Sequence, residues 1–287
     1  MQITPLRVMW FVPPTISVLA EGWGHTSAGM LQASRNQSSD EQFERFRTNA
    51  IDAAVTAMDN IMDWNLRAGP QDFRIVAQVE RTTPLSLMAR AGCSVLPDLR
   101  DASILVDAPD NGFVVALRHM LAEAGLASGS YALIPSGGVK ERFDALLGGQ
   151  GDATLLGPPF DAMALQAGLV RLARVQDRHP EFPGQGLVVR ASAIERLRPA
   201  LTQWLDGLAR TCERMRSNQD GAGSILSGAG FPEIALQAML TTVPSSLVPA
   251  RRGVELLIRQ RREVGLPGAD NNYESLVDAS MLRQDAP

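Results

Sequence analysis

One strand–break–helix unit occurs twice in this chain, near residue 52 and again near residue 152, and it constrains the fold more than any other feature. The first copy is Ile51-Asp-Ala-Ala-Val-Thr-Ala-Met-Asp-Asn60, and the second is Gly148-Gly-Gln-Gly-Asp152-Ala-Thr-Leu-Leu-Gly-Pro-Pro159. In each, an amphipathic stretch (Glu41–Asn49, then Lys140–Gly149) leads through a turn to an Asp. A short apolar run follows, and then an abrupt break into a helix that starts with polar or Pro residues. Such a run reads as a buried parallel strand feeding a helix N-terminus. Ligands of open α/β sheets gather at the carboxyl ends of such strands. Two copies therefore predict two similar α/β lobes facing each other across a cleft.

The 287 residues are enough for two lobes, each with its own core. A net charge of −4, with Lys and Arg dispersed along the chain, lacks the basic stripe of a nucleic-acid binder. The one dense basic cluster, Arg251, Arg252, Arg259, Arg261 and Arg262, is expected on the solvated face of a late helix. Cys93 and Cys212 are far apart and are expected as two buried thiols. With His25, His119 and His179 dispersed and no CxxC or HExxH, neither a metal nor a cofactor is expected. No stretch approaches the roughly 18 continuous apolar residues of a membrane span. The N-terminus lacks the basic region and small-residue cleavage site of a secretory signal. Two locations stay open on this reading: extracytoplasmic if a signal has been removed, cytoplasmic if Met1 is the native start.

In chain order, strands are predicted at Leu6–Val12, Met30–Ser34, Ile51–Ala57 and Phe73–Val79, with helices from Ser17, from Ser38 or Ser39, and over Asp59–Leu66. The start at Ser38 or Ser39 rests on a capping-box pattern with Glu41 and Gln42. Beyond Glu80–Pro84 come strands Leu85–Arg90, Ser103–Asp107, Tyr131–Pro135, Ala153–Leu156 and Leu169–Ala173. Helices Gly112–Ala124, Val139–Leu147 and Phe160–Ala167 alternate with them. This alternation predicts mainly parallel sheets with right-handed crossovers. Gly186–Arg190 reads as a strand returning to the first lobe, followed by helices Ala193–Ser217, Pro232–Met239 and Val248–Val264. The expected division is residues 1–84 with 186–287 in lobe one and 85–185 in lobe two. The two crossings, at Glu80–Pro84 and Gly186–Arg190, form the hinge.

Several pieces resemble the type II periplasmic-binding-protein fold, in particular the sulfonate-, taurine- and pyrimidine-precursor-binding branch of ABC importer substrate-binding proteins. They are Ser38-Ser-Asp-Glu-Gln-Phe43, Asp52–Asn60, Phe73-Arg-Ile-Val-Ala-Gln78, Leu96-Pro-Asp-Leu-Arg-Asp101, Gly137–Leu147 and Gly151–Pro159, in that order. Trp23–Ser34 departs from the family pattern, with Gly, His and Thr in place of an acidic turn. The resemblance implies two Rossmann-like lobes with mixed sheets and a small-molecule ligand, delivered to an ABC permease. It also implies which loops face the cleft. Pro14 and Thr15 follow the first strand, and Ser38 and Ser39 sit at a helix N-terminus suited to an anionic group. Thr56, Met58, Asp59 and Asn60 form the third loop, Asn111, Gly112 and Phe113 the fourth, and Pro159, Phe160 and Asp161 the fifth. Acids at positions 59, 107, 110 and 161, with only Lys140 and Arg81 as nearby cations, favour a ligand with a cationic or donor-bearing part. Phe113 and Phe160 at the rim suit a planar heteroaromatic.

The alternative from a different class is a cofactor-free enzyme on the same scaffold, a decarboxylase, desulfinase or other lyase. Asp59 would be its general base, Asp161 the partner and His25 the reserve. No GxSxG, P-loop or GxGxxG fingerprint is present. Gly148-Gly-Gln-Gly151 precedes a strand rather than a helix, so it does not make a phosphate cradle.

Overall fold

A computed structural model describes residues 4–282. The chain first lays down β1 (Leu6–Trp10), α1 (Thr15–Gly22), β2 (Leu31–Arg35), α2 (Ser39–Arg47), β3 (Ala53–Ala57), α3 (Asn60–Trp64) and β4 (Phe73–Gln78). It crosses over to β5 (Ser86–Ala89), β6 (Ser103–Val106), α4 (Val114–Glu123), β7 (Ala132–Pro135), α5 (Val139–Leu147), β8 (Ala153–Leu156), α6 (Phe160–Gln166), β9 (Val170–Arg174) and α7 (Val175–Arg178). It then returns as β10 (Gln185–Arg190) and continues as α8 (Ile194–Ser217), α9 (Ala222–Gly228), α10 (Glu233–Leu240), α11 (Arg251–Glu263) and α12 (Tyr273–Leu276).

The strands form two five-stranded sheets, ordered β2-β1-β3-β10-β4 and β7-β6-β8-β5-β9. The two orders are the same pattern. In each sheet the first three strands of a βαβ run pair in parallel, and the strand arriving from the other lobe inserts antiparallel beside the third. The echoed sequence units are β3 and β8, which hold equivalent places. A strand buried on both faces needs an unbroken apolar run, and β3 and β8 are buried at every position.

The helices cover both faces of each sheet. On the outer side of sheet one, α8 presents Leu201, Trp204, Leu205 and Leu208 to Val8, Val55 and Leu187. Each such side chain, fully buried, contributes about 1.5–3 kcal/mol. Beneath the other face, Phe43, Phe46, Trp64 and Phe73 interlock with ring centroids 5.1–6.4 Å apart. Phe143 and Phe160 pack together over sheet two, centroids 5.5 Å apart. At the start of α2, Ser38 Oγ accepts from Glu41 N–H at 3.1 Å while the Glu41 carboxylate accepts from Gln37 N–H at 3.0 Å. That local closure is why the helix begins where the capping pattern predicts.

Four expectations change. The α1 helix begins at Thr15, capped through Pro14 O, rather than at Ser17. Gly186–Arg190 is not a crossing: it lies inside sheet one between β3 and β4. The return crossing is the preceding segment, residues 175–184. Gln176 ties it to the outgoing one, donating to Thr82 Oγ1 at 3.0 Å and to Thr83 O at 2.6 Å, and accepting from Leu85 N–H at 3.1 Å. Arg261 of the basic cluster is wholly buried, whereas Arg251, Arg252, Arg259 and Arg262 keep to the outer side of α11. Cys93 and Cys212 are not joined; the first is half-buried after β5 and the second is buried in α8.

Candidate functional site: a cavity between the lobes

A cavity of about 100 Å³ lies between the two sheets, walled by the carboxyl ends of β1, β3, β6 and β8. A water needs roughly 10–15 Å³ measured this way, so the space suits a small solute. From lobe one come Phe11, Pro13, Thr15, Ala57 and Asn60, with Met239 and Thr242 from the end of α10. Lobe two supplies Leu105, Asp107, Phe113, Leu117, Arg142 and Leu155, the outgoing crossing adds Glu80 and Thr83, and the start of β10 adds Gln185. With Val12, Leu85, Val106, Val114, Val139 and Pro158 completing the wall, most of the lining is apolar and the polar groups converge within it, the usual character of a small-molecule pocket.

Polar contacts close the cavity on the cleft side. The Ser39 hydroxyl stands 3.3 Å from Asp107 Oδ2 and 3.2 Å from Asn111 Oδ1, joining α2 of lobe one to lobe two. Asn111 Nδ2 reaches Asp63 at 3.5 Å, and Arg35 Nη2 meets both Glu141 carboxylate oxygens at 2.8 Å. At Gly112 (φ +72°) the backbone comes so near Asn60 that a Cβ would stand 3.1 Å from its Oδ1, so the two lobes touch where only glycine fits easily.

Arg142 is the cation in the cavity wall, and it is already engaged. Nε donates to Thr154 Oγ1 at 3.1 Å, Nη1 to Gly137 O at 3.0 Å and Nη2 to Leu155 O at 3.3 Å, and Nη1 lies 3.5 Å from Asp107 Oδ1. Burial lowers its pKa, opposed by Asp107 and Glu141. Burial likewise raises the Asp107 carboxyl against the pull of Arg142. Glu80 is also buried and raised, and it accepts from Thr83 Oγ1 at 2.5 Å and from Gln185 Nε2 at 3.1 Å. Asn60 donates to Thr56 Oγ1 at 2.6 Å, and its buried Oδ1 has no hydrogen-bond partner. Two carboxyls and an unmatched amide oxygen thus stand against one committed cation.

Of the residues expected at the cleft, Thr15, Asn60, Gly112 and Phe113 line the cavity. Ser39 and Asn111 seal it, and Thr56 supports Asn60 from below. Ser38 is the cap of α2, and Pro14 that of α1. Met58 is buried under β10, where a Cβ on Gly186 would stand 2.6 Å from it. Pro159 begins α6, and Phe160 turns into the lobe-two core against Phe143, so the paired-ring rim is not formed. Phe113 packs on Phe182 instead, ring centroids 5.9 Å apart.

Asp59, Asp161 and His25 do not meet. Asp59 Oδ2 accepts from Arg261 Nη1 at 2.8 Å, both side chains fully buried away from the cavity. Burial drives its pKa up to about 7 against the pull of Arg261. Asp161 accepts from Ser86 Oγ at 3.3 Å and lies 3.6 Å from Arg171. His25 packs against α8, with Nδ1 2.9 Å from Thr211 Oγ1. Asp110 pairs with Arg118 at 2.6 Å, Lys140 with Asp144 at 2.5 Å, and Arg81 bonds Thr241 O at 3.1 Å. Glu80, Gln185, Thr242 and Arg142 were missed. Nothing local in the sequence marks Thr242, which comes into place through the α10 fold-back with its hydroxyl 3.1 Å from that of Thr15.

No protein-family model and no curated protein matches this chain. Solved structures do match. The periplasmic nitrate-binding protein NrtA of Synechocystis superposes with a TM-score of 0.80 at 10% identity, over 98% of this chain and 87% of its own. The ligand-binding component of an ABC-type import system from Staphylococcus aureus, with zinc bound, gives 0.78 at 14% identity over 97% and 98%. The alkanesulfonate-binding protein SsuA of Xanthomonas axonopodis, bound to MOPS, gives 0.72 at 16% identity over 90% and 91%. The fold is that of type II periplasmic binding proteins, with two mixed five-stranded sheets.

Proposed function

We propose that this chain is a solute-binding protein that closes two lobes on a small organic molecule and hands it to an ABC permease outside the cytoplasm. The fold likeness supports the class, and the cavity at the carboxyl ends of β1, β3, β6 and β8 supports the place. No described helix is long and apolar enough to cross a membrane. The crossings, residues 79–85 and 175–184, are the hinge about which the lobes rotate.

The ligand class follows from one observation: the Arg142 guanidinium is committed to Thr154, Gly137, Leu155 and Asp107. A sulfonate or nitrate needs converging donors that are not already in use. This cavity offers acceptors, namely Asn60 Oδ1, Asp107 and Glu80, within an apolar wall that includes Phe113. That combination favours a flat, mostly apolar molecule carrying N–H donors or a cationic amine.

The test is a thermal-shift screen of protein stripped of bound solutes by unfolding and refolding. A ligand at 100 times its Kd adds about 2.7 kcal/mol of stability, enough for a clear rise in Tm. Heteroaromatic amines are expected to raise Tm and alkyl sulfonates to leave it unchanged; the reverse result overturns the ligand class.

A further inference from the structure

We propose that His119, Glu123 and His179 form a binding site for a divalent transition-metal ion of the zinc type, beside the return crossing and separate from the cavity. The site brings together two of the chain's three histidines from elements distant in sequence. His119 and Glu123 lie four residues apart on one face of α4, and His179 caps the C-terminal end of α7. Their ligand atoms all lie within 4.8 Å of one another. Donors around a tetrahedral zinc stand about 3.3–3.4 Å apart, given bonds of about 2.0–2.1 Å, so a small side-chain adjustment completes the set.

Hydrogen bonding makes this arrangement hard to explain without a cation. His119 Nε2 stands 2.5 Å from Glu263 Oε2 of α11, and a carboxylate can only accept, so the Nε2 proton points there. His119 is about nine-tenths buried, and its Nδ1 has no hydrogen-bond partner. That nitrogen faces Glu123 Oε1 at 3.9 Å, too far for a hydrogen bond. His179 Nε2 is likewise buried and without a partner. The two rings are tilted by 59° with centroids 5.3 Å apart, so they do not stack face to face. Two imidazole nitrogens and a carboxylate oxygen therefore converge with no bond between them.

The surroundings fit a metal site. Glu263 behind His119 makes the carboxylate–histidine–metal arrangement that fixes tautomer and ring orientation. Arg178 Nη1 donates to Glu123 Oε2 at 2.9 Å, which leaves Oε1 as the ligand. Imidazole and carboxylate together suit zinc and its neighbours over magnesium or calcium. One position of a tetrahedral ion stays open for water. The ion would join α4, the end of α7 and, through Glu263, α11; Leu117 in the cavity wall is two residues from His119.

The whole chain, stripped with a chelator, is titrated with zinc against a chromophoric competitor, and with cobalt, whose visible spectrum reports tetrahedral ligation. One equivalent is expected to bind. Glu263→Gln keeps the stoichiometry and weakens affinity roughly 10–100-fold, as loss of an outer-shell partner does. His179→Gln and Glu123→Gln, both at exposed or half-buried positions, lose more than that, and the cobalt bands vanish. His25→Gln changes nothing. The site is refuted if the wild type takes up neither ion, or if His179→Gln binds zinc as the wild type does.

Discussion

The Asp52 carboxylate holds Arg7 by side chain and main chain at once, accepting from Nε and Nη2 at 2.9 Å each and from the Arg7 N–H at 3.2 Å. Asp152 does the corresponding work in the second sheet, accepting from Ser103 N–H at 2.7 Å. Each Asp also donates its own N–H to the same first strand, Asp52 to Arg7 O at 2.9 Å and Asp152 to Ser103 O at 2.8 Å. The repeated Asp is thus a clamp between the third and first strands of each parallel run, β3 to β1 and β8 to β6. It stands at the opposite end of the strand from the cavity.

Stability at acid pH depends on that clamp. Burial pushes the Asp52 carboxyl up, but hydrogen bonds from Arg7 and Arg196 outweigh it and hold the pKa below its ordinary value. A depressed folded pKa contributes stability above the unfolded value, about 3.9, and loses it as pH falls through the folded one. In urea unfolding at neutral pH, Asp52→Asn is expected to cost about 1.5–3 kcal/mol, the worth of hydrogen bonds to a charged group. It should also lose less further stability than the wild type on going to about pH 3. Equal losses would contradict the clamp.

The buried pair Asp59–Arg261 predicts an asymmetry between its two deletions. Asp59→Ala leaves a guanidinium that cannot discharge, and is expected to cost about 3–5 kcal/mol. Arg261→Met leaves a carboxyl that can take up a proton, so it costs less. In that variant the Asp59 pKa is raised without opposition from Arg261. A raised folded pKa gives stability that is present below the unfolded value and lost as pH rises through the folded one. Arg261→Met should therefore be more stable at mildly acidic pH than at alkaline pH. Chemical denaturation across that range checks the order and the slope.

Arg35 and Glu141 join the lobes at the exposed rim, where an ion pair adds little. Glu141→Gln is expected to weaken solute binding by no more than about fivefold, and high salt should reduce the wild type to a similar level. Calorimetric titration at low and high salt with a solute that raises Tm decides this. An effect that persists undiminished in high salt would count against a screened latch.

The α/β alternation, the two lobes and most element boundaries were legible because strands buried on both faces require unbroken apolar runs and helix starts carry local caps. Ser38 is an example, since its cap forms with residues three positions away. The cavity was only half legible. Thr15, Asn60, Gly112 and Phe113 follow strand ends directly, so topology alone sends them to the cleft. Asp59 was misplaced because its partner Arg261 comes from a helix at the far end of the chain, and no local pattern announces that pairing. Arg142 was hidden for a similar reason: it sits mid-helix, and only the approach of Asp107 and Leu155 turns it into a wall of the cavity. Phe160 shows the limit of reasoning from position alone, since a ring after a strand end can enter the core as readily as the cleft.

Closure around a solute is the centre of this account, and small-angle scattering tests it most directly. The chain is measured alone and with increasing amounts of a solute that raises Tm. The radius of gyration is predicted to fall and level off at one equivalent, because Ser39, Asn111 and Glu141 can meet their partners only when the lobes are together. A radius that stays constant up to saturating solute would contradict it.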